Sequence, residues 1–252
     1  MTNDEREWWS PESLTARERE VRTGLTSDSA DLRNDFASYR ALASGLDPQA
    51  SGLHQHNEVE PWRIDTVCRD YEVIVRRTLR DSPKRVADLG CGAGFTTDGL
   101  HRTWPDATVT GFDVSHDAVR YARNRWTACR FVEGAIVPDG SLDGGPYDVI
   151  LCQEFYPFTR TGSLETHREW MKFLLGTMTG DGVAIIMVSA GTPESINDTY
   201  LRLRRDYAIR RNRIAVPRIS RRLPNGVASV AGTVLYRARP QWVRNLYVLQ
   251  RQ

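Results

Sequence analysis

A glycine-rich turn between two predicted elements constrains the fold of this chain more than any other feature. Residues 86–97 read VADLGCGAGFTT, which is a short apolar run, three alternate glycines (Gly90, Gly92 and Gly94) and a stretch typical of a helix. Glycine lets the backbone turn tightly and approach a ligand closely. An acid, Asp113, ends the next apolar run. The pattern predicts a strand, a ligand-binding turn and a helix, with a neighbouring acid that accepts hydrogen bonds from ribose hydroxyls.

The spacing of this motif separates two classes of nucleoside ligand. A dinucleotide-binding turn has the pattern G-x-G-x-x-G, and its last glycine packs the helix against the strand. In that register Phe95 stands where the last glycine belongs, and an additional acid, Asp88, lies two residues before the first glycine. A carboxylate in the turn suits a cationic amine and suits a pyrophosphate poorly. The sequence therefore favours an amino-acid-bearing nucleoside over NAD.

These residues resemble the first motif of the class I S-adenosylmethionine (SAM)-dependent methyltransferases. Four later segments resemble further parts of that family in the expected order: GFDVS at 111–115, RFVEGA at 130–135, PYDVILCQE at 146–154 and MTGDGVAIIMV at 178–188. The resemblance covers roughly residues 84–190. It implies an α/β fold, with a doubly wound, mostly parallel seven-stranded sheet and helices on both faces.

The resemblance also implies a SAM site at the carboxyl ends of the strands. Many members of the family have an acid at the position of Ala135 that bonds the adenine amino group, so here we expect this contact from the backbone or from Glu133. The implied cofactor-binding residues are Asp88, Gly90, Cys91, Gly92, Gly94, Phe95, Asp113, Val114, Glu133, Gly134, Ala135 and Gln153.

Catalytic residues are harder to assign, because methyl transfer from a sulfonium depends chiefly on positioning. Many relatives carry Glu-x-x-x-His after the fourth strand, but Phe158 stands at the place of that histidine. Glu154 is the leading candidate for a base or an acceptor-orienting group; the alternative is a carboxylate that only caps the next helix. Two further candidates are Tyr39, in a predicted helix, and His56, in a predicted loop. Their competing interpretations are core packing for the tyrosine and a solvated loop for the histidine.

The region before the motif is predicted to be helical, and from residue 85 onward strands and helices are predicted to alternate. Residues 1–83 are expected to form a helical lid, and residues 84–252 the SAM-binding domain. The lid prediction rests on apolar stripes at helical spacing. The stripes are Leu32, Phe36, Tyr39, Leu42 and Leu46, and Ile64, Val67, Tyr71, Ile74, Val75 and Leu79.

After the fifth strand, the sequence predicts one helix and a closing pair of strands. Residues 193–211 are predicted to be helical, and residues 227–236 and 242–249 to form the antiparallel pair with which the family usually ends its sheet. His167, within an earlier predicted helix, is expected at the surface.

The composition of the chain indicates in which cellular compartment the protein works and which classes of partner it binds. The net charge of the 252-residue chain is only +2, which does not favour a polyanion-binding protein. No apolar run approaches the roughly 18 residues of a membrane span, and the polar N-terminus is unlike a secretory signal. Four cysteines without a C-x-x-C pair predict buried free thiols in a reducing cytoplasm and no metal site. We therefore expect a cytoplasmic protein without a membrane partner.

Two hypotheses compete with methylation of a small organic acceptor. Nine arginines fall within residues 202–222, and such a segment suits either a phosphorylated or carboxylated acceptor or a contact with RNA, so RNA or protein is the alternative acceptor. A solvated helix face or a homo-oligomer contact also explains these arginines. The other hypothesis is a SAM-binding protein without catalytic activity. The predicted lid and the near-neutral charge favour a small acceptor, such as an intermediate of specialised metabolism, and make a nucleic-acid partner the weaker prediction.

Overall fold

Seven strands and the helices between them make up the part of the chain that the computed structural model describes, which is residues 38–39, 41–45, 60–138, 140–159, 162–189, 194–224 and 227–251. The strands are Arg85–Leu89 (β1), Thr108–Asp113 (β2), Arg130–Glu133 (β3), Tyr147–Gln153 (β4), Met178–Val188 (β5), Ala208–Ala215 (β6) and Val243–Gln250 (β7). The helices are Pro61–Arg76 (α1), Phe95–Thr103 (α2), His116–Arg125 (α3), Tyr156–Thr159 (α4), Leu164–Thr177 (α5), Glu194–Leu203 (α6), Pro217–Ser220 (α7) and Val227–Ala238 (α8), and a 3₁₀ turn covers Pro240–Trp242.

The strands form one mixed sheet in the order β3-β2-β1-β4-β5-β7-β6. Strands β1 to β5 are parallel, β7 runs antiparallel to β5, and β6 runs antiparallel to β7. The chain moves outward from β1 to β3 and then returns to the other side of β1 with β4. A crevice opens at such a switch point, beyond the carboxyl ends of the strands. The predicted mostly parallel seven-stranded sheet is confirmed.

Two apolar cores, one on each face of the sheet, hold the helices in place. Helices α1 and α2 pack on one face, where Tyr71 is fully buried. Helices α4, α5 and α6 pack on the other, where Tyr200 is fully buried. Val248 and Leu249 of β7 belong to opposite cores, as the alternation of side chains along a strand requires. The predicted helices on both faces are therefore also confirmed.

Local sequence explains where several helices begin. Pro61 occupies the first turn of α1, where its missing amide hydrogen leaves no intrahelical bond unmade. The hydroxyls of Ser115 and Ser163 accept hydrogen bonds from the amides three residues later, at 3.3 and 3.2 Å, and so cap α3 and α5. Serine at this position satisfies an amide that the helix itself leaves without a partner.

The prediction for the C-terminal third was wrong in two places. Residues 227–236, predicted as a strand, are helical in α8, and the predicted helix over 193–211 ends at Leu203, before β6 begins. The closing antiparallel pair is therefore β6 with β7. Valine-rich sequence favours a strand by propensity, but Ala228 and Gly232, four residues apart, are the buried positions of this segment. Their helical spacing lets α8 pack against β6.

The arginine-rich segment and His167 also differ from expectation. The arginines of residues 202–222 are spread over α6, β6, α7 and the turns that follow the two helices, and are not one solvated helix face. His167 is fully buried in α5 between the rings of Phe158 and Tyr200, because it falls on the face of α5 that meets the sheet. The expected free thiols are confirmed: Cys68, Cys91 and Cys152 are buried and Cys129 is half-buried. In the described residues, no helix is long and apolar enough to cross a membrane.

Candidate cofactor and active site

The turn between β1 and α2 has a backbone that only glycine adopts easily. The φ angles of Gly90, Gly92 and Gly94 are 74°, 53° and 80°, in the left-handed region that side chains disfavour. Space is also lacking: a Cβ on Gly92 would lie 2.5 Å from the Tyr39 hydroxyl oxygen, and one on Gly94 would lie 2.8 Å from ring carbons of Phe131. Conformation and crowding therefore both require glycine here.

The Asp113 carboxylate joins this turn to the tip of β2. One of its oxygens accepts a hydrogen bond from the Gly92 amide at 2.8 Å, and the other accepts one from the Ser115 amide at 2.8 Å. The parallel register places Leu89, the last residue of β1, beside Phe112. Since a carboxylate offers about four acceptor sites, Asp113 can hold the turn and still accept hydroxyl groups of a ligand.

Asp88 lies beneath the turn and is almost completely buried, with 1% of its surface exposed. Its carboxylate accepts a hydrogen bond from the Thr97 hydroxyl at 2.7 Å. Burial raises the pKa of Asp88 from 3.8 to about 6; the Thr97 hydrogen bond opposes this rise, and the nearby Asp113 charge adds to it. The negative charge on Asp88 is therefore costly in the unliganded protein, and a cationic ligand group nearby would relieve that cost.

We expect Asp88 to make stability depend on pH. Because its pKa in the folded protein is higher than its pKa of about 4 in the unfolded chain, the folded state binds the proton more tightly. The stabilisation by Asp88 is complete below about pH 4 and is lost as pH rises through about 6. A shift of two pKa units corresponds to about 3 kcal/mol. Urea unfolding should show that, on going from pH 4 to pH 7, the free energy of unfolding of Asp88→Asn rises by about that much relative to that of the wild-type protein. Parallel pH profiles for the two proteins would contradict this.

The residues predicted for the adenine side lie at the ends of β2 and β3. The Gly134 amide donates to the Asp113 carbonyl oxygen at 3.0 Å, which joins this loop to the end of β2. Val114 and Ala135 are half-buried. The Glu133 carboxylate is 2.9 Å from His116 Nδ1, a contact that the sequence did not indicate. Because the Glu133 side chain is engaged with His116, we expect the adenine ring to bond to backbone atoms of residues 133–135 rather than to this carboxylate.

The end of β4 carries the predicted pair Gln153 and Glu154. The Tyr71 hydroxyl of α1 donates to Gln153 Oε1 at 2.9 Å, which anchors the amide at the crevice. Glu154 has a φ of 51°. A residue other than glycine in this region is strained, and such strain is concentrated at functional sites. Burial raises the pKa of both Tyr71 and Tyr200, and the Glu154 charge adds a smaller rise to each, so its carboxylate lies within electrostatic reach of both hydroxyls.

A short helical stretch near the N-terminus contacts the glycine turn. Tyr39 and Leu42 pack with Ala93 and with the ring of Phe95, and Leu42 is only 2% exposed. Tyr39 therefore both contacts the predicted cofactor loop and joins a small apolar cluster. The candidate base His56 and the stripe residues Leu32, Phe36 and Leu46 lie outside the described residues.

Sequence reasoning missed a buried polar network beside the carboxyl end of β5. Arg244 Nη2 lies 2.6 Å from Asp70 Oδ2, and both side chains are 6% exposed. The Ser220 hydroxyl also donates to Asp70, at 3.0 Å. Asn245, next to Arg244, pairs with Val188, the last residue of β5. The signal available beforehand was an acid, Asp70, within the apolar stripe of α1.

Two further features lie apart from this arrangement. A surface cavity of about 200 Å³ is lined by residues that precede β1 and β2, so it opens at the amino ends of the strands, opposite the crevice. Among the residues that the structure describes, no group of three or more histidine, cysteine or acidic side chains is arranged to hold a metal ion. The glycine turn and the ends of β2, β3 and β4 are therefore the candidate site.

Known proteins resemble this chain in both sequence and fold. A family model described as "Methyltransferase domain" matches residues 86–174. Trans-aconitate 2-methyltransferases of Rhodopseudomonas palustris are similar in sequence. The protein from strain BisA53 is 31% identical over 148 residues, which is 57% of this chain and 52% of that protein. The protein from strain BisB18 is 35% identical over 108 residues, which is 43% of this chain and 40% of that protein. The chain thus matches about half or less of the length of these relatives.

A solved structure with a similar fold is that of the plantazolicin methyltransferase BpumL in complex with SAH. Its TM-score is 0.56 at 15% identity, and the superposition covers 92% of this chain and 100% of that one. At this identity the likeness concerns the fold alone. The matched domain contains the glycine turn, Asp113 and the strands that carry the candidate site. Residues 86–174 thus match a methyltransferase domain, and the fold is that of the class I S-adenosylmethionine-dependent methyltransferases.

Proposed function

We propose that this protein transfers a methyl group from SAM to a small organic acceptor. The observation that carries the proposal is the crowded glycine turn, whose Gly92 amide is held by the Asp113 carboxylate at the neighbouring strand tip. This arrangement suits a nucleoside whose ribose hydroxyls meet Asp113 while its amino-acid part follows the turn. The bound cofactor would supply a methyl group already activated by a positive sulfur.

The residues of the chain have distinct roles in this proposal. Asp113 binds the ribose hydroxyls, and backbone atoms of residues 133–135 bind the adenine edge. The turn at residues 90–94 accommodates the amino-acid part, and the buried Asp88 carboxylate favours its cationic amine. Gln153, anchored by Tyr71, presents the rest of its amide to the crevice. Glu154 orients the acceptor and removes its proton where the acceptor is protonated at neutral pH.

A small acceptor is supported by the residues around the turn. Tyr39 and Leu42 pack against Ala93 and Phe95, so the described residues 38–39 and 41–45 lie against the turn and narrow the space beside it. We propose that residues 1–83 provide a lid and that residues 84–252 form the cofactor-binding domain. The names of the sequence relatives, trans-aconitate 2-methyltransferases, also support a small acceptor.

The distribution of the arginines gives little support to a nucleic-acid acceptor. Arg210 donates to the Gln250 side chain at 2.7 Å, the Arg213 guanidinium lies 3.8 Å from the centre of the Tyr236 ring, and that of Arg221 lies 4.4 Å from the centre of the Trp62 ring. Arginines engaged in this way are less available to phosphates than a solvated stripe would be.

Methyl transfer is tested by measuring SAH formation with the purified protein across an acceptor panel of carboxylic acids, including trans-aconitate, and of phenols, amines and azole-containing peptides. With an acceptor that turns over, we expect Glu154→Gln to lower kcat about 100-fold, because a positioned base contributes roughly that much. Calorimetry should show unchanged SAM binding by this variant. Absence of SAM binding by the wild-type protein would overturn the proposal, whereas an unchanged kcat would remove only the role of Glu154.

A further inference from the structure

An exposed apolar stripe lies on α8, four strands away from β1. The valines at positions 227, 230 and 234 are 41%, 65% and 69% exposed. Together with Trp242, at 43%, they are the strongly exposed large hydrophobic residues of the described part of the chain. The three positions fall on one side of the helix and form a stripe about 10 Å long. We call Val227, Val230 and Val234 the valine stripe.

The opposite side of α8 packs against the sheet. Ala228 is 5% exposed, and a Cβ on Gly232 would lie only 2.3 Å from the carbonyl oxygen of Arg213. The Tyr236 ring packs under the Arg213 guanidinium. Because this side fits β6 so closely, the helix cannot rotate the valine stripe inward without losing these contacts. The stripe therefore remains on the surface.

The end of the chain that carries the stripe is strongly basic. Residues 199–252 contain 13 arginines and one acid, Asp206, a net charge of +12, whereas residues 1–198 contain 21 basic and 31 acidic residues, a net charge of −10. Arg237 and Arg239, at the carboxyl end of α8, are exposed. Such a field attracts acidic macromolecules. The small net charge of the whole chain is therefore the sum of an acidic segment, residues 1–198, and a basic segment, residues 199–252.

The apolar character and the charge together narrow the class of partner. Two copies meeting through their stripes would bring like charges together, and the described part of the chain has no second cluster of exposed large hydrophobic residues to receive the stripe. Nucleic acid would engage the arginines and leave the valines in water. Membrane-surface helices usually insert bulky tryptophan, phenylalanine or leucine, whereas this stripe is entirely valine.

We propose that the valine stripe, with Arg237 and Arg239, is a docking site for an acidic helix of another protein. The apolar face of the partner helix packs on the three valines, and its flanking carboxylates pair with the two arginines. Helix-on-helix packing of this kind requires anchors spaced by three or four residues, as the valines are. The proposal is independent of the methyl acceptor.

The probe is a fluorescent helical peptide whose leucines are spaced alternately three and four residues apart, with glutamate at the other positions. Its binding to the full chain is measured by fluorescence anisotropy. A scrambled peptide of identical composition is its control. We expect the patterned peptide to bind at least about tenfold more tightly. Substituting Val230→Ser and Val234→Ser together should remove this preference, and so should Arg237→Glu with Arg239→Glu. The matched control, Arg77→Glu with Arg80→Glu, changes the same charge at two exposed arginines after α1 and should bind as wild type does.

Three results would overturn the proposal. Equal binding of the patterned and scrambled peptides would mean that charge alone attracts them. Unchanged binding by a serine variant that melts as the wild type does would exclude the stripe. Tighter binding to phosphatidylglycerol vesicles or to oligouridylate than to the patterned peptide would assign the surface to lipid or to RNA instead.

Discussion

Replacing Asp113 with alanine should weaken SAM binding about 100-fold. In the proposed complex the carboxylate would accept charge-assisted hydrogen bonds from the ribose hydroxyls, and two such bonds contribute about 3 kcal/mol together. The variant also loses the anchor of the turn, because the Gly92 and Ser115 amides both donate to this side chain. Isothermal titration calorimetry with SAM or SAH measures the loss directly.

Two companion variants make this result specific. Asp106→Ala removes an exposed acid at the opposite edge of the sheet and should bind SAM as the wild-type protein does. Asp113→Asn retains one acceptor oxygen without the charge and should fall between wild type and Asp113→Ala. If Asp113→Ala melts normally and binds SAM with wild-type affinity, the cofactor does not occupy the assigned site.

Replacing Asp70 with alanine should lower the free energy of unfolding by about 3–5 kcal/mol. The substitution leaves the Arg244 guanidinium buried without its carboxylate, since both side chains are only 6% exposed. Burial raises the pKa of Asp70, and Arg244 is the main influence that opposes the rise. The two groups therefore depend on each other. Urea denaturation followed by circular dichroism measures the loss.

Two further measurements test whether burial of the ion pair causes this loss of stability: one on an exposed ion pair, and one on a double replacement of the buried pair. Arg168 and Asp206 form an ion pair whose side chains are 48% and 43% exposed, so Asp206→Ala should cost less than about 1 kcal/mol. Combining Asp70→Leu with Arg244→Met removes both charges and should recover most of the stability. Equal losses from Asp70→Ala and Asp206→Ala would show that the buried pair has no special role.

The cofactor half of the fold could be predicted because its constraints are local. Three glycines with left-handed φ angles, an acid after the next apolar run and the alternation of strands with helices all appear as short patterns in the sequence. In the C-terminal third, the strand β7 could be predicted but α8 and β6 could not, because α8 has the composition of a strand. Its helical state depends on Gly232 fitting against the backbone of β6, which no local pattern reports.

The candidate site divides in the same way. Asp88, Asp113 and the glycine turn could be recognised from a motif, whereas the partners that hold them could not. Tyr71, which anchors Gln153, is 82 residues away from it along the chain, and Tyr39 likewise meets Gly92 from a distant part of the chain. His167, expected in water, is buried because its side of α5 faces the sheet.

The sequence by itself determined the β1 turn, the acid at the end of β2 and the alternation of the first strands with helices, since each depends on residues close together in the chain and on the steric limits of the backbone. Only the tertiary structure decided that Asp70 and Arg244 form a buried ion pair and that α8 exposes its valines beside a strongly basic strand. These features depend on which distant surfaces meet, and that choice is made by burial and packing over the whole sheet.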